Sequence, residues 1–470
     1  MEVYENRVVQ TDEKTYDVAV IGGGVVGCAV LRAFTLAGAA CVLLERGADI
    51  LSGASKGNSA ILHTGFDAPP ASLEHQCIRE GYNEYLRIRE KLNLPLVQSS
   101  AVVVAWTEEQ LRSLPGIIEK AHANGVTDVA EISLEQLHGR EPNISRTARG
   151  AVLVPGEGYI DPWSAPLAYA HQALANGAEI STLTEVQGGE FHGTHWTLRT
   201  SNGPFTARTV INCAGNFGDV VETINRPSPF RIIPRKGQFV VYDKPAADLF
   251  KSIILPVPTK RTKGVVVFRS IFGNAVVGPT AEDQDDRESA DVTEEALLDL
   301  KAKGESIVPT LASQEIIATY AGLRPATEFD EYQVESNPER RWITAAGIRS
   351  TGLTACLGIA KHVLDLYENG FGKLTPLEQP AWTPVPNLAE HLPRPYQQAN
   401  AGEIVCLCEM VTRKEIENAF CSPLPPGNMD GLKRRTRCTM GRCQGYYCGH
   451  KVARLTQGRL QAPPPFEELR

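Results

Sequence analysis

The stretch "YDVAVIGGGVVGCAVLRAFTLAGAACVLLER" (residues 16–46) restricts the fold of this 470-residue chain more than any other. It reads as strand, tight turn, helix and second strand, and the first strand is almost continuously apolar, as a parallel strand covered on both faces must be. Gly22, Gly24 and Gly27 form G-x-G-x-x-G where the helix pattern starts, with Val25 and Val26 between them. The first glycine permits the turn, the second lets backbone approach a pyrophosphate, and the third brings helix and strand together. The helix N-terminus then offers N–H groups to the phosphates. Glu45, followed by Arg46, closes the second strand 18 residues beyond Gly27, where a carboxylate can accept hydrogen bonds from ribose hydroxyls. One dinucleotide site is expected, because no second such unit follows. The long apolar run over residues 18–44 is broken by five glycines and Arg32, so it belongs in a sheet-helix core and not in a membrane.

Composition agrees with a globular chain of more than one domain: 42% apolar, 22% charged, net charge -8. That charge argues against nucleic acid as a main partner. The N-terminal residues lack a basic start followed by an apolar core, so the reading is a cytoplasmic protein without direct membrane insertion, able to reach a membrane surface through a partner. Further along, "GEGYIDPWSAPLAYA" looks like a helix entry, with Asp161 near the N-cap and Pro162 early in the first turn, which gives Asp161 a structural role.

Several later stretches follow the opening unit in a fixed order: "SKGNSAILHTGF" (55–66), "ARTVINCAGNFGD" (207–219), "YAGLRP" (320–325) and "GIRSTGLTACLGIA" (347–360). In this order they resemble FAD-dependent oxidoreductases of the D-amino-acid oxidase superfamily, within it the glycerol-3-phosphate dehydrogenase and L-2-hydroxyglutarate oxidase branch, over about residues 15–375. The resemblance implies an α/β Rossmann-like FAD-binding domain assembled from residues 14–91, 149–229 and 318–372. An interleaved α+β substrate domain with an antiparallel sheet would come from 92–148 and 230–317. FAD contacts would fall on Gly22, Gly24, Val25, Val26, Gly27, Glu45, Arg46, Asn58, Ser59, Ala214, Gly215, Gly352, Leu353 and Thr354.

Oxidising an alcohol at a flavin requires an acceptor for the hydroxyl proton and a cation for an anionic substrate. The resemblance places His63 beside flavin and substrate, as base or as a group that only shapes the pocket. It marks Arg324, Arg349 and Lys236 as candidates for the anion or for the reduced flavin's charge, with Arg235 as the alternative to Lys236. Phe66 and Asp67 depart from the tyrosines usual in L-2-hydroxyglutarate oxidases. The best reading is a small anionic substrate, glycerol-3-phosphate first, with a 2-hydroxy acid or an amine or opine donor as alternatives.

A proline-rich run (373–400) leads to a cysteine-rich end (401–457) that holds six of the eleven cysteines. Thr412 and Glu415 make a capping pattern for one short helix, and Met429 to Arg435 suggests another. A module this small needs a staple. Disulfides fit poorly in a reducing compartment, and C-x-C is awkward for structural zinc. The arrangement of "CLC" and "TRCTMGRCQGYYC" resembles the BFD-like [2Fe-2S] domain of anaerobic glycerol-3-phosphate dehydrogenase catalytic subunits. That implies ligands Cys406, Cys408, Cys438 and Cys443, with Cys448 as packing and Cys421 without a role. It also implies a helical module that passes the flavin's electrons to an acceptor protein or subunit, quinone-linked in one version, within an oligomer or hetero-complex. The alternative from another class is a redox sensor or assembly element.

Overall fold

The computed structural model describes residues 14–258 and 264–462; most of the N-terminal segment read above for a targeting signal lies outside them. Its first layer is an eight-stranded sheet. Thr15–Ile21 pairs in parallel with Cys41–Leu44 on one side and Gly203–Asn212 on the other, and Glu179–Ser181 and Trp342–Ala346 extend the parallel set. Val18, Ala19 and Val20 are completely buried, as the continuous apolar run requires. Helices Val25–Leu36, Leu73–Leu92, Ser164–Ala175 and Gly352–Phe371 pack together over one face in a common apolar core.

The second layer is a nine-stranded sheet dominated by two long antiparallel strands, Ile232–Tyr242 and Ile316–Thr327. It is antiparallel except that Ile253–Pro256 runs parallel to Ala101–Ala105. Asp161 has a structural role, but two residues before the cap Trp163, with Pro162 outside the helix Ser164–Ala175. Its Oδ1 accepts from the N–H groups of Trp163 and Ser164, and its Oδ2 from the Ser164 hydroxyl.

The proline-rich run forms an extended strap. Leu377 N–H bonds Leu36 O, Val385 N–H bonds Leu92 O, and Glu390 N–H bonds Ile271 O, so the strap touches both layers in turn. It ends at Arg394, which is 1% exposed and donates to the carbonyls of Leu388 and Glu409. Beyond it a hairpin (Ile404–Cys406, Val411–Thr412) and helices Arg413–Phe420, Met429–Thr436 and Gly449–Thr456 enclose a core of only a few side chains, among them Val405, Val411, Ile416, Leu432 and Val452. The capping box at Thr412 and Glu415 is present.

Candidate active site and thiol cluster

The glycine turn has the shape a dinucleotide needs. Gly22 has φ +105°, and a Cβ there would lie 2.6 Å from Cys213 O; a Cβ on Gly27 would lie 1.9 Å from Gly22 O. The helix therefore starts in contact with the strand ends, close to the Ala214–Gly215 turn that follows Cys213. It begins at Gly24 without a side-chain cap, and Val25 N–H donates to Ser55 Oγ at 3.0 Å. Glu45 sits where the sequence placed it, but its oxygens already accept from Gly23 N–H (2.6 Å) and Gly47 N–H (2.7 Å). Burial raises its pKa, opposed by those two bonds. A carboxylate has about four acceptor positions, so ribose hydroxyls can still be received. Arg46 lies over the Phe217 ring at 4.0 Å and pairs with Glu288. This cradle fits the diphosphate and ribose of FAD.

The segment after the second strand runs against the substrate sheet. Tyr320, Gly322 and Arg324 share one face of their strand, since alternate residues point the same way. Tyr320 donates to Asn58 O at 2.8 Å, and a Cβ on Gly322 would lie 2.4 Å from Gly57 O. The segment then pairs Ile61–Leu62 with the buried Gly158–Ile160, which brings His63 to Glu157. His63 Nδ1 is 2.9 Å from Glu157 Oε2, and the other Glu157 oxygen accepts from Thr64 N–H and Oγ1. Glu157 is completely buried. The His63 backbone N–H donates to Thr354 Oγ1 at the start of Gly352–Phe371, which joins the His63 segment to the turn that holds Gly352 and Leu353; Asn58, with Ser59 beside it, is held instead by the Tyr320 hydroxyl.

Glu157 is the residue that sequence reasoning missed. Its local signal is an acid between two glycines in an otherwise buried hairpin. Its partner is 94 positions away, so spacing could not reveal the pair.

The three cations separate. Arg324 is enclosed, donates only to Thr280 O at 3.0 Å, and has no carboxylate within ion-pair distance among the described residues. Burial, then the neighbouring Arg235, pushes its pKa down to about 10. Arg349 is instead taken up by Glu74 and by the side chain and carbonyl of Asp330. Lys236 faces Leu323 across the ladder while Arg235 faces Arg324, so Lys236 lies on the opposite face, paired with Glu282 at 3.5 Å. Arg235 is paired with Asp283. Of the three, Arg324 alone is left without an acid among the described residues, whereas Arg349 and Lys236 are paired with neighbouring carboxylates.

In the C-terminal module the thiols form two neighbouring pairs. Cys408 lies beside Cys443, and Cys448 beside Cys406. The neighbouring backbone N–H groups, that of Tyr447 most, pull the Cys443 pKa down. Cys438 is fully buried and bonded to Thr436, and burial pushes its thiol up to about 11. Cys421 is exposed and away from the set. Among the described residues no three His, Cys, Asp or Glu side chains converge on one point to hold a single ion. Two thiol pairs side by side fit a two-iron centre.

Comparison with known proteins agrees with both halves. The profile of the FAD dependent oxidoreductase family matches residues 17–366. The chain belongs to that family. Residues 404–457 match the BFD-like [2Fe-2S] binding domain. This FAD-dependent oxidoreductase is 31% identical over 453 residues to a glycerol 3-phosphate dehydrogenase of Caloramator mitchellensis, covering 95% of this chain and 94% of the relative. It is 26% identical over 500 residues to one of the subunits of the anaerobic glycerol-3-phosphate dehydrogenase of Haemophilus influenzae, covering 96% and 86%. The fold resembles dithionite-reduced L-alpha-glycerophosphate oxidase from Mycoplasma pneumoniae with FAD bound, with TM-score 0.73, 27% identity, and coverage of 79% of this chain and 98% of that one. The enzyme is thus glycerol-3-phosphate dehydrogenase-like. No helix of the described residues is long and apolar enough to cross a membrane.

Proposed function

We propose that this enzyme oxidises the secondary alcohol of glycerol-3-phosphate to the ketone and sends the electrons out through its C-terminal module. The observation that carries this reading is an enclosed arginine without an acid, Arg324, on the strand face against which the His63 segment packs. An unpaired cation in such a place is costly unless an anion joins it, and the guanidinium fork matches a phosphate. FAD, when bound, supplies the hydride acceptor. The carboxylate of Glu157 fixes the proton of His63 on Nδ1, which leaves Nε2 as the acceptor for the hydroxyl proton. Atoms balance: the C–H hydrogen leaves as hydride, the O–H hydrogen as a proton to His63, and a C=O bond forms.

We assign the cluster ligands as Cys406, Cys408, Cys443 and Cys448. We prefer Cys448 to Cys438 because it is the buried thiol near both Cys406 and Cys443, whereas Cys438, although also near Cys406, is engaged by Thr436. A [2Fe-2S] cluster held there would accept electrons singly. The likeness to one component of a multi-subunit dehydrogenase supports a partner that receives them. Anaerobic bleaching of the flavin by glycerol-3-phosphate, L-2-hydroxyglutarate and amino acids tests the substrate: bleaching by glycerol-3-phosphate alone is expected, and bleaching by another member alone overturns it.

A further inference from the structure

The three most exposed large apolar side chains of the described residues all belong to the thiol loops: Leu407 is 71% exposed, Tyr446 85% and Tyr447 80%. Leu407 stands between Cys406 and Cys408, and the tyrosines between Cys443 and Cys448. The tyrosine rings pack edge to face, 5.2 Å between centroids. The Tyr446 N–H donates to the Cys443 carbonyl at 2.9 Å, so the loop that presents the rings is the loop that carries Cys443. Cys408 and Cys443 are only partly buried, which makes this the side on which the thiol set comes nearest the surface. A module with so small a core has every reason to bury three such residues and instead displays them.

The charge of the module that carries the spot is one-sided. Residues 404–457 carry nine lysines and arginines against four acids, in a chain of net charge -8. All four acids are engaged: Glu409 with Arg437, Glu415 in its capping box, Glu417 with Arg413 and Asp430 with Lys433. Lys414 and Arg454 are exposed and have no acidic partner among the described residues, and His450 is exposed one turn before Arg454 on helix Gly449–Thr456. An exposed apolar spot on a basic module matches the small, transient contacts through which redox proteins meet, where complementary charge steers the encounter.

We propose that Leu407, Tyr446 and Tyr447 form the docking spot for an acidic one-electron carrier protein, with Lys414 and Arg454 as steering charges. This rests on the electron-outlet reading above. Each substrate oxidised releases two electrons and two protons; an oxidised carrier takes one electron per visit, its metal centre being reduced by one, so two visits complete a turnover and the protons go to solvent.

The test uses the full-length holoenzyme reduced with dithionite, which makes it independent of the substrate. Two haem proteins serve as probes: the soluble domain of cytochrome b5, which is acidic, and cytochrome c, which is basic. Binding of each to the oxidised enzyme is measured by titration calorimetry at rising salt, and haem reduction by stopped flow. The cytochrome b5 domain is expected to bind with an affinity that falls as salt rises. In the L407S/Y446S/Y447S variant its reduction should slow at least tenfold, while cluster absorbance and ferricyanide reduction stay as in wild type. Arg454→Glu should weaken its binding several-fold. Tighter binding of cytochrome c overturns the proposal, as does a change of oligomeric state in the triple variant. Loss of haem reduction in Cys406→Ser with no change in the triple variant overturns the docking spot and leaves the electron outlet standing. Haem reduction that persists in Cys406→Ser overturns both.

Discussion

The Arg435 guanidinium and the Asp49 carboxylate meet as a bidentate pair, Nη1 to Oδ2 at 2.7 Å and Nη2 to Oδ1 at 2.9 Å, both buried. Asp49 belongs to the loop after Glu45, and Arg435 to helix Met429–Thr436 of the thiol module, so one ion pair joins the dinucleotide cradle to the C-terminal module. Around it Gly427 N–H bonds the same carboxylate, Arg434 donates to Ile50 O, and Ala48 O leaves no room for a side chain at Gly427. Breaking such a pair from one side leaves a buried charge alone, at about 3–5 kcal/mol. Arg435→Met should destabilise the protein by that order in urea, and D49N/R435M should recover part of it. Because Leu51 N–H bonds Gly23 O in the same loop, the single variant should also release FAD more readily, as followed by flavin fluorescence.

Removing the proton acceptor should cost rate and leave binding. His63→Asn is expected to slow anaerobic flavin reduction by roughly 10²–10⁴-fold, the usual range for a general base, with little change in substrate affinity. Glu157→Gln keeps the shape but loses the carboxylate that fixes the Nδ1 proton. It should give a smaller loss and displace the pH profile of flavin reduction, a displacement that a merely structural role for Glu157 would not produce.

Arg324→Met should show its effect in KM. Two charge-assisted hydrogen bonds at about 1.5–3 kcal/mol each correspond to roughly 10²–10⁴ in kcat/KM for glycerol-3-phosphate. Oxidation of glycerol, which lacks the phosphate, should be unchanged from its low wild-type rate. Added guanidinium should restore part of the activity, and an unaffected KM would remove the assignment.

What the sequence made legible was what is local. Strand, glycines, helix and Glu45 lie in one short unit, and each residue's job follows from its neighbours in the chain. Arg324 and Arg349 looked alike because their difference lies elsewhere: Glu74 and Asp330 neutralise one, and nothing acidic among the described residues reaches the other. Glu157 was invisible for the same reason, its role being set by a hairpin that pairs residues 61–62 with 158–159. The cysteines posed a sharper problem. Cys438 to Cys443 and Cys443 to Cys448 are both C-x4-C, so spacing could not choose between them. The ligand set proposed above rests on a difference that spacing does not carry: helix Gly449–Thr456 brings Cys448 near both Cys406 and Cys443, while Cys438, buried two residues after helix Met429–Thr436, lies near Cys406 and bonds Thr436.

That difference is open to direct measurement. Cys448→Ser should lose iron and the visible absorbance of the cluster after anaerobic purification. Cys438→Ala should keep both, at a cost of about 1 kcal/mol in stability for a small buried group removed. Retention of iron by Cys448→Ser together with loss in Cys438→Ala would restore the ligand set read from spacing.

Acid should loosen the molecule through His171. Burial, then the nearby Arg435, pushes its pKa down to about 4 from the ordinary 6.5, and its Nε2 has no hydrogen-bond partner. The folded state therefore holds His171 neutral while the unfolded chain binds a proton below about pH 6.5. Between these values the unfolded state carries more protons, so stability is fully present above the unfolded pKa and falls as pH drops toward 4. The full effect is on the order of 2–3 kcal/mol. His171→Leu puts an apolar side chain at the same place in the helix and has no proton to take up. Its urea midpoint should fall less between pH 7 and pH 4.5 than that of the wild type, and equal slopes would assign the acid sensitivity to other groups.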